Sequence, residues 1–324
     1  MPITTRRAAL TAVAGAAAGP ALAQQASFPS RPVRIIAPFT PGGGTDTTAR
    51  VLAPAMGEFL GQTVLVENRP GAAGSLGAGA VADSAPDGHT LLVDALNHVV
   101  NPFLLQGLRF DYATAFAPVS LLTVLPQIFV VPPGLPVSTM AEFVDWARAR
   151  PGRLAFGSSG NAGGAHLGGT LFLRETGLDI SHVPYRGGSA VLPDLIAGNV
   201  VFAFATVNSA TQLILDGRLK ALAVASAQRV ASLPAVPTMA EAGYPAVVLD
   251  EWNLLCAPAG TPAAWRRACT AAVRHALAQP MVRDRFAAIG ATTVGSPPEE
   301  AARYVAAQRE RLGRLVADAA ISIE

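Results

Sequence analysis

Three consecutive glycines, Gly42, Gly43 and Gly44, run into Thr45 and Asp46 in the stretch PFTPGGGTDTTAR. Adjacent glycines let successive backbone N–H groups turn toward one point, and a following helix start adds N–H groups that have no intrahelical acceptor. The chemistry specified is an anion nest, with Phe39 and Thr40 leading into it and Thr45 or Asp46 placed to cap the helix. A second stretch, FGSSGNAGGAH, repeats the plan with Ser158, Ser159, Asn161, Ala162 and His166. One such loop reads as a tight strand-to-helix turn. Two matched loops favour a clamp for a small anion, held mostly by backbone.

Reactive chemistries fit less well. A phosphate-binding Walker loop needs Gly-Lys-Ser/Thr, and the chain's single lysine, Lys220, lies far from the glycines. A dinucleotide fingerprint fails because Thr47 stands where the third glycine belongs. GSSGN misses the esterase elbow Gly-x-Ser-x-Gly at Asn161. His166 is close enough in sequence to Ser158 and Ser159 to be imagined as a base, but the plainer reading packs it within its own first helical turn. None of the five histidines has metal-ligand spacing, so neither a metal nor a cofactor is expected.

The elements that must position the loops follow from periodicity. From Arg31 onward, short apolar runs alternate with amphipathic stretches, the pattern of an α/β layered fold. VRIIAPF and TVLVENR read as strands around a helix from about Asp46 to Leu60, whose apolar face holds Val51, Leu52, Ala55, Met56, Phe59 and Leu60, with Pro54 expected to kink it. PVSLLTVLPQIFVVPPGLP reads as a crossing into a second unit, and LDEWNLLCAPAGTP as the return. The expected division is residues 27–126 with 250–324 for one unit and 127–249 for the other. Each loop then sits beyond the carboxyl end of a strand, where open α/β sheets bind ligands.

Composition narrows the setting. A chain of 324 residues exceeds one ordinary core, and 51% hydrophobic with 14% charged residues describes a folded chain. The formal charge of +2 is matched by Arg6 and Arg7 in a segment without acids, so the remainder is near neutral and a nucleic-acid partner is not expected. Residues 1–23 have a basic start, an apolar stretch and a terminal ALA, the order of an export signal cleaved before Gln24, with the Sec and Tat routes both open. That points to the periplasm. A Cys256–Cys269 disulfide is permitted there, although both settings favour buried thiols.

Taken together, RPVRIIAPFTPGGGTDTTARVLA, VLVENRPGAAGSLGAGAVADSAPDGHTLLV, RPGRLAFGSSGNAGGAHLGGTLF, HVPYRGGSAVLPDLIAGNV and LLCAPAGTP resemble the periplasmic solute receptors of tripartite tricarboxylate transporters, the Bug family. The resemblance implies a periplasmic binding protein of the type II, Venus-flytrap kind, with two α/β domains joined by two crossover strands. It implies a monomeric receptor without catalysis that holds a small organic carboxylate between Phe39–Asp46 and Ser158–His166. Its partner would be a two-subunit membrane permease, or a sensor kinase if the receptor signals. Where the family commonly ends the VVFAF strand with Asp, this chain has Ala205 followed by Thr206. The loss of that acceptor implies a ligand without an amino group at this end.

Overall fold

The computed structural model describes residues 28–161, 163–185 and 188–318, so the expected signal segment and Ala162 lie outside the described residues. Strand β1 (Val33–Ala37) pairs in parallel with β2 (Val64–Asn68) and β3 (Thr90–Asp94). Helices α1 (Gly44–Leu60), α2 (Ser75–Ala82) and α3 (Asn97–Leu104) follow these strands in turn. Covered on both faces, the strands are apolar at successive positions and send them to opposite sides with period two. Ile35, Leu91 and Val93 pack toward α1, whereas Ile36 and Leu92 pack toward α2 and α3.

β4 (Phe116–Val131) is 16 residues long and belongs to both sheets. Its first part pairs antiparallel with β9 (Asp250–Pro258), from Phe116 opposite Pro258 to Pro126 opposite Asp250. Its second part pairs antiparallel with β7 (Phe202–Thr206) and β8 (Lys220–Val224). β5 (Leu154–Ser158) lies parallel to β6 (Ile180–Pro184) and β7. β4 is thus the outgoing crossover and β9 the return, and apart from the second part of β4 the second sheet is formed by chain between them. Helices α4 (Met140–Arg148), α5 (Gly164–Thr176), α6 (Gly188–Ala197) and α7 (Val207–Leu215) accompany the second sheet. α8 (Ala263–Ala278), α9 (Pro280–Ala288) and α10 (Pro298–Asp318) complete the first, with the short β10 (Thr292–Thr293) pairing with β4.

The alternation persists where β4 changes sheet. Ile128 and Val130 face one core, and Phe129 and Val131 the other. On the latter side Phe202 stacks on both Phe129 and Phe156, with centroids 4.7 and 4.9 Å apart, in an aromatic column beneath the second loop. α1 runs on through Pro54, which is exposed, so the helix bond it cannot donate leaves an acceptor facing water. Phe59 departs from the expected buried face. It is 48% exposed and leans on His275, at a ring distance of 5.1 Å. Cys256 and Cys269 are buried free thiols. They pack in different clusters on opposite faces of the first sheet, which is why they do not meet.

Candidate functional site

The first loop carries the chain from β1 into α1, with Gly43 as N-cap in extended backbone. Gly42 takes φ +83°, a conformation natural to glycine, and its N–H donates to Asp46 Oδ2 at 2.9 Å. The Gly43 N–H donates to Thr40 O at 3.2 Å. Two of the N–H groups expected in the nest are therefore satisfied within the loop. The open donors lie one step on: among the described residues, no acceptor meets the N–H groups of Gly44, Thr45 and Asp46 in the first turn of α1. Thr45 is 3% exposed and its Oγ1 also lacks a partner among the described residues. A Cβ added at Gly44 would meet nothing within 4 Å, so the space around this turn is open.

Neither Thr45 nor Asp46 makes a side-chain cap on α1. Asp46 instead ties the loop down. Burial would raise its carboxyl, but the Gly42 N–H, Asn68 Nδ2 at 2.8 Å and the Arg50 guanidinium at 2.8 Å outweigh burial and hold it below the usual range. Asn68 also donates to Phe39 O at 3.1 Å, joining the loop to the end of β2. These bonds place Asp46 where it fixes the loop.

A third segment, the turn that leads into α2, packs against the first loop. Ala72 and Ala73 hold φ of 45° and 52°, which costs about 1 kcal/mol each outside glycine. Gly74 follows at φ +88°, and a Cβ there would stand 3.0 Å from the Phe39 ring. Asn101 Nδ2 donates to Ala73 O at 3.0 Å and secures the strained turn against α3. Phe39 is thus held against this turn.

The second loop leaves β5 at Ser158 and enters α5 through the N-cap Gly163. Ser158 is fully buried, its hydroxyl bridging Gly160 O at 2.8 Å and His182 Nε2 at 2.7 Å. The His182 ring stacks on His166, with centroids 3.8 Å apart and planes 5° apart. Burial first, and the neighbouring His182 second, hold His166 down to about 4, and burial lowers His182 as well. A serine beside a neutral histidine is the pairing a hydrolase needs, but a hydroxyl without exposed surface reaches no substrate. Ser158 and His166 support the loop from behind, while Asn161 is exposed.

A cavity of about 140 Å³ lies beside this loop, lined by Ser159, Ala205, Thr206 and Gln127, among others. Glu251, from the return strand β9, also lines it, and no sequence motif had singled this residue out. Its carboxylate accepts from the Gly164 N–H at the start of α5 and from Gln127 Nε2 at 3.3 Å. Burial raises the Glu251 carboxyl above its ordinary range; the Gly164 N–H works against the rise and Asp250 adds to it. None of Gly42–Asp46 lines this cavity, so in this arrangement the two loops face separate spaces.

Residues 48–321 match the family model described as the tripartite tricarboxylate transporter family receptor. Protein BugT of Bordetella pertussis is 36% identical over 292 residues, covering 90% of each chain. Rpa4515 of R. palustris, solved with adipate, is 33% identical and superposes with a TM-score of 0.80, over 91% of this chain and 99% of its own. MatC of Rhodopseudomonas palustris, solved with bound malate, is 33% identical, with a TM-score of 0.77 over 89% of this chain and 100% of its own.

Proposed function

Because the chain belongs to the tripartite tricarboxylate transporter receptor family, whose members are periplasmic solute-binding proteins and not enzymes, we propose that it captures a small organic carboxylate and delivers it to a two-subunit membrane permease. The observation that carries this reading is the unpaired first turn of α1. Three successive N–H groups there have no acceptor among the described residues, and the adjacent Asp46 charge is already offset by Arg50 and Asn68. A carboxylate satisfies such a set, and the partial positive charge of the helix end adds to the attraction.

The two binding units are residues 27–126 with 250–324, and residues 127–249, hinged on β4 and β9. One ligand carboxylate sits on the N–H groups of Gly44, Thr45 and Asp46, with Phe39, Thr40, Gly42 and Gly43 shaping the loop around it. Ser159, Asn161, Ala162, Ala205 and Thr206 line the far side. Closure of the units over the ligand needs only a higher affinity for the closed form. The adipate and malate held by the two similar proteins support a carboxylate cargo. Residues 1–23 act as the export signal, with cleavage before Gln24.

Calorimetric titration of the purified chain with a panel of organic acids tests the reading. Saturable binding of a carboxylate at one site per chain is expected. Binding of neutral amides with no response to any acid would overturn it.

A further inference from the structure

The two helix ends that looked equivalent in sequence differ in occupancy. The first turn of α1 has free donors, whereas α5 already has a carboxylate at its N-terminus, and that carboxylate is Glu251. The fit is close: a Cβ on Gly164 would overlap both Glu251 Oε1 and Gln127 Nε2. Gln127 is 1% exposed on the outgoing crossover strand, and Glu251 stands on the return strand, so both hinge strands contribute to this corner.

Among the described residues, none of those lining the adjoining cavity is a cation that would balance a second anion. Its other described walls are Ser159, Thr206 and apolar side chains, and among the described lining residues Glu251 alone is ionisable. Gln127 Oε1 is a further acceptor with no donor among the described residues. The corner therefore presents acceptors. Ala205 removes an acceptor from the end of β7, and Glu251 on β9 presents one in the same cavity.

We infer that Glu251 and Gln127 form the pocket for the distal end of the ligand, that this pocket takes a hydrogen-bond donor such as a hydroxyl or ammonium group, and that the chain selects monocarboxylates bearing such a donor over dicarboxylates. The inference rests on the carboxylate reading above, with the ligand's carboxylate on α1 and its donor on Glu251. A dicarboxylate of the same length would bury its second carboxylate in a desolvated site, which is unfavourable without a cation.

Matched probes of four and six carbons test it: the simple monocarboxylate, its terminal hydroxy and amino derivatives, and the dicarboxylate, each titrated into the chain and into Glu251→Gln. The expected result is at least about tenfold tighter binding of a donor-bearing acid than of the matching dicarboxylate, with the gap largely closed in Glu251→Gln, because the coupling is charge-dependent. The hydroxy and amino arms distinguish a neutral donor from a cationic one. Equal or tighter binding of the dicarboxylate by the parent chain would overturn the inference and leave carboxylate capture intact, as would an unchanged ratio in Glu251→Gln. No binding of any acid would overturn both. The parent ratio is read without a variant, so it decides the matter even if Glu251→Gln does not fold.

Discussion

The Gly164 N–H donates to the Glu251 carboxylate, joining the first turn of α5 to the return crossover strand. A side chain at position 164 would displace that carboxylate and Gln127 together. Gly164→Ala is expected to cost about 1–3 kcal/mol by overpacking, lowering the melting temperature by several degrees. The same substitution in a Glu251→Ala background should cost less, and a double-mutant cycle by thermal melting reads the difference. Equal costs in both backgrounds would mean that the two residues are not coupled.

Gly44→Val should weaken carboxylate binding at least about tenfold, close to 1.4 kcal/mol, with little change in melting temperature. Its side chain enters the open space beside the unpaired donors, and the position has ordinary helical backbone. Gly43 is the poorer probe, because its Cβ would stand 3.2 Å from Thr40 O and disturb the loop itself. Calorimetry and a thermal melt on each variant separate the two effects.

Asp46→Asn should destabilise the fold by about 1 kcal/mol or more at neutral pH, by weakening charge-assisted bonds to Gly42, Asn68 and Arg50. The Asp46 carboxyl is depressed in the folded chain, so its contribution is full above its unfolded value near 3.8 and is lost as pH falls through the folded value. Urea unfolding of both chains should show the gap at pH 7 and its closure in strong acid. A gap independent of pH would remove the assigned cause.

Asp250 and His166 act on stability in opposite directions. Burial, partly offset by Arg311, raises Asp250 from 3.8 to about 6, so the folded state holds its proton more tightly and stability falls as pH rises through that window. Burial and the charge of His182 lower His166 from 6.5 to about 4, so the unfolded state binds the proton more tightly and stability rises with pH between those values. Each effect is on the order of 1–3 kcal/mol after allowance for screening. The parent chain should have a shallow profile from about pH 4 to 6. Asp250→Asn should steepen the rise, and His166→Gln should tilt the profile toward a fall. Variant profiles parallel to the parent's would remove both residues from the account.

The strand ends and glycine loops were legible because local physics fixes them. Ile35 and Ile36 alternate as a strand between two cores must, and the Gly-rich turn after β1 does open a helix. What stayed hidden depends on contacts remote in sequence. Glu251 meets Gly164 and Gln127 only because β4 and β9 pair side by side, 124 positions apart for the Gln127 bond. The bond from Ser158 to His182, 24 residues later on β6, is of the same kind. Phe59 fitted the apolar face of α1 by period but lies near the C-terminal end of the helix, outside the cover of the neighbouring core.

The central claim is that the first turn of α1 binds a carboxylate through its free N–H groups. Titrating the chain with the tightest-binding acid, and with the primary amide in which that one carboxylate is replaced, tests it most directly. The acid should bind saturably and the amide at least about tenfold more weakly, since donors facing a neutral group lose the charge-assisted part of each bond. An amide that binds as tightly as the acid would contradict it.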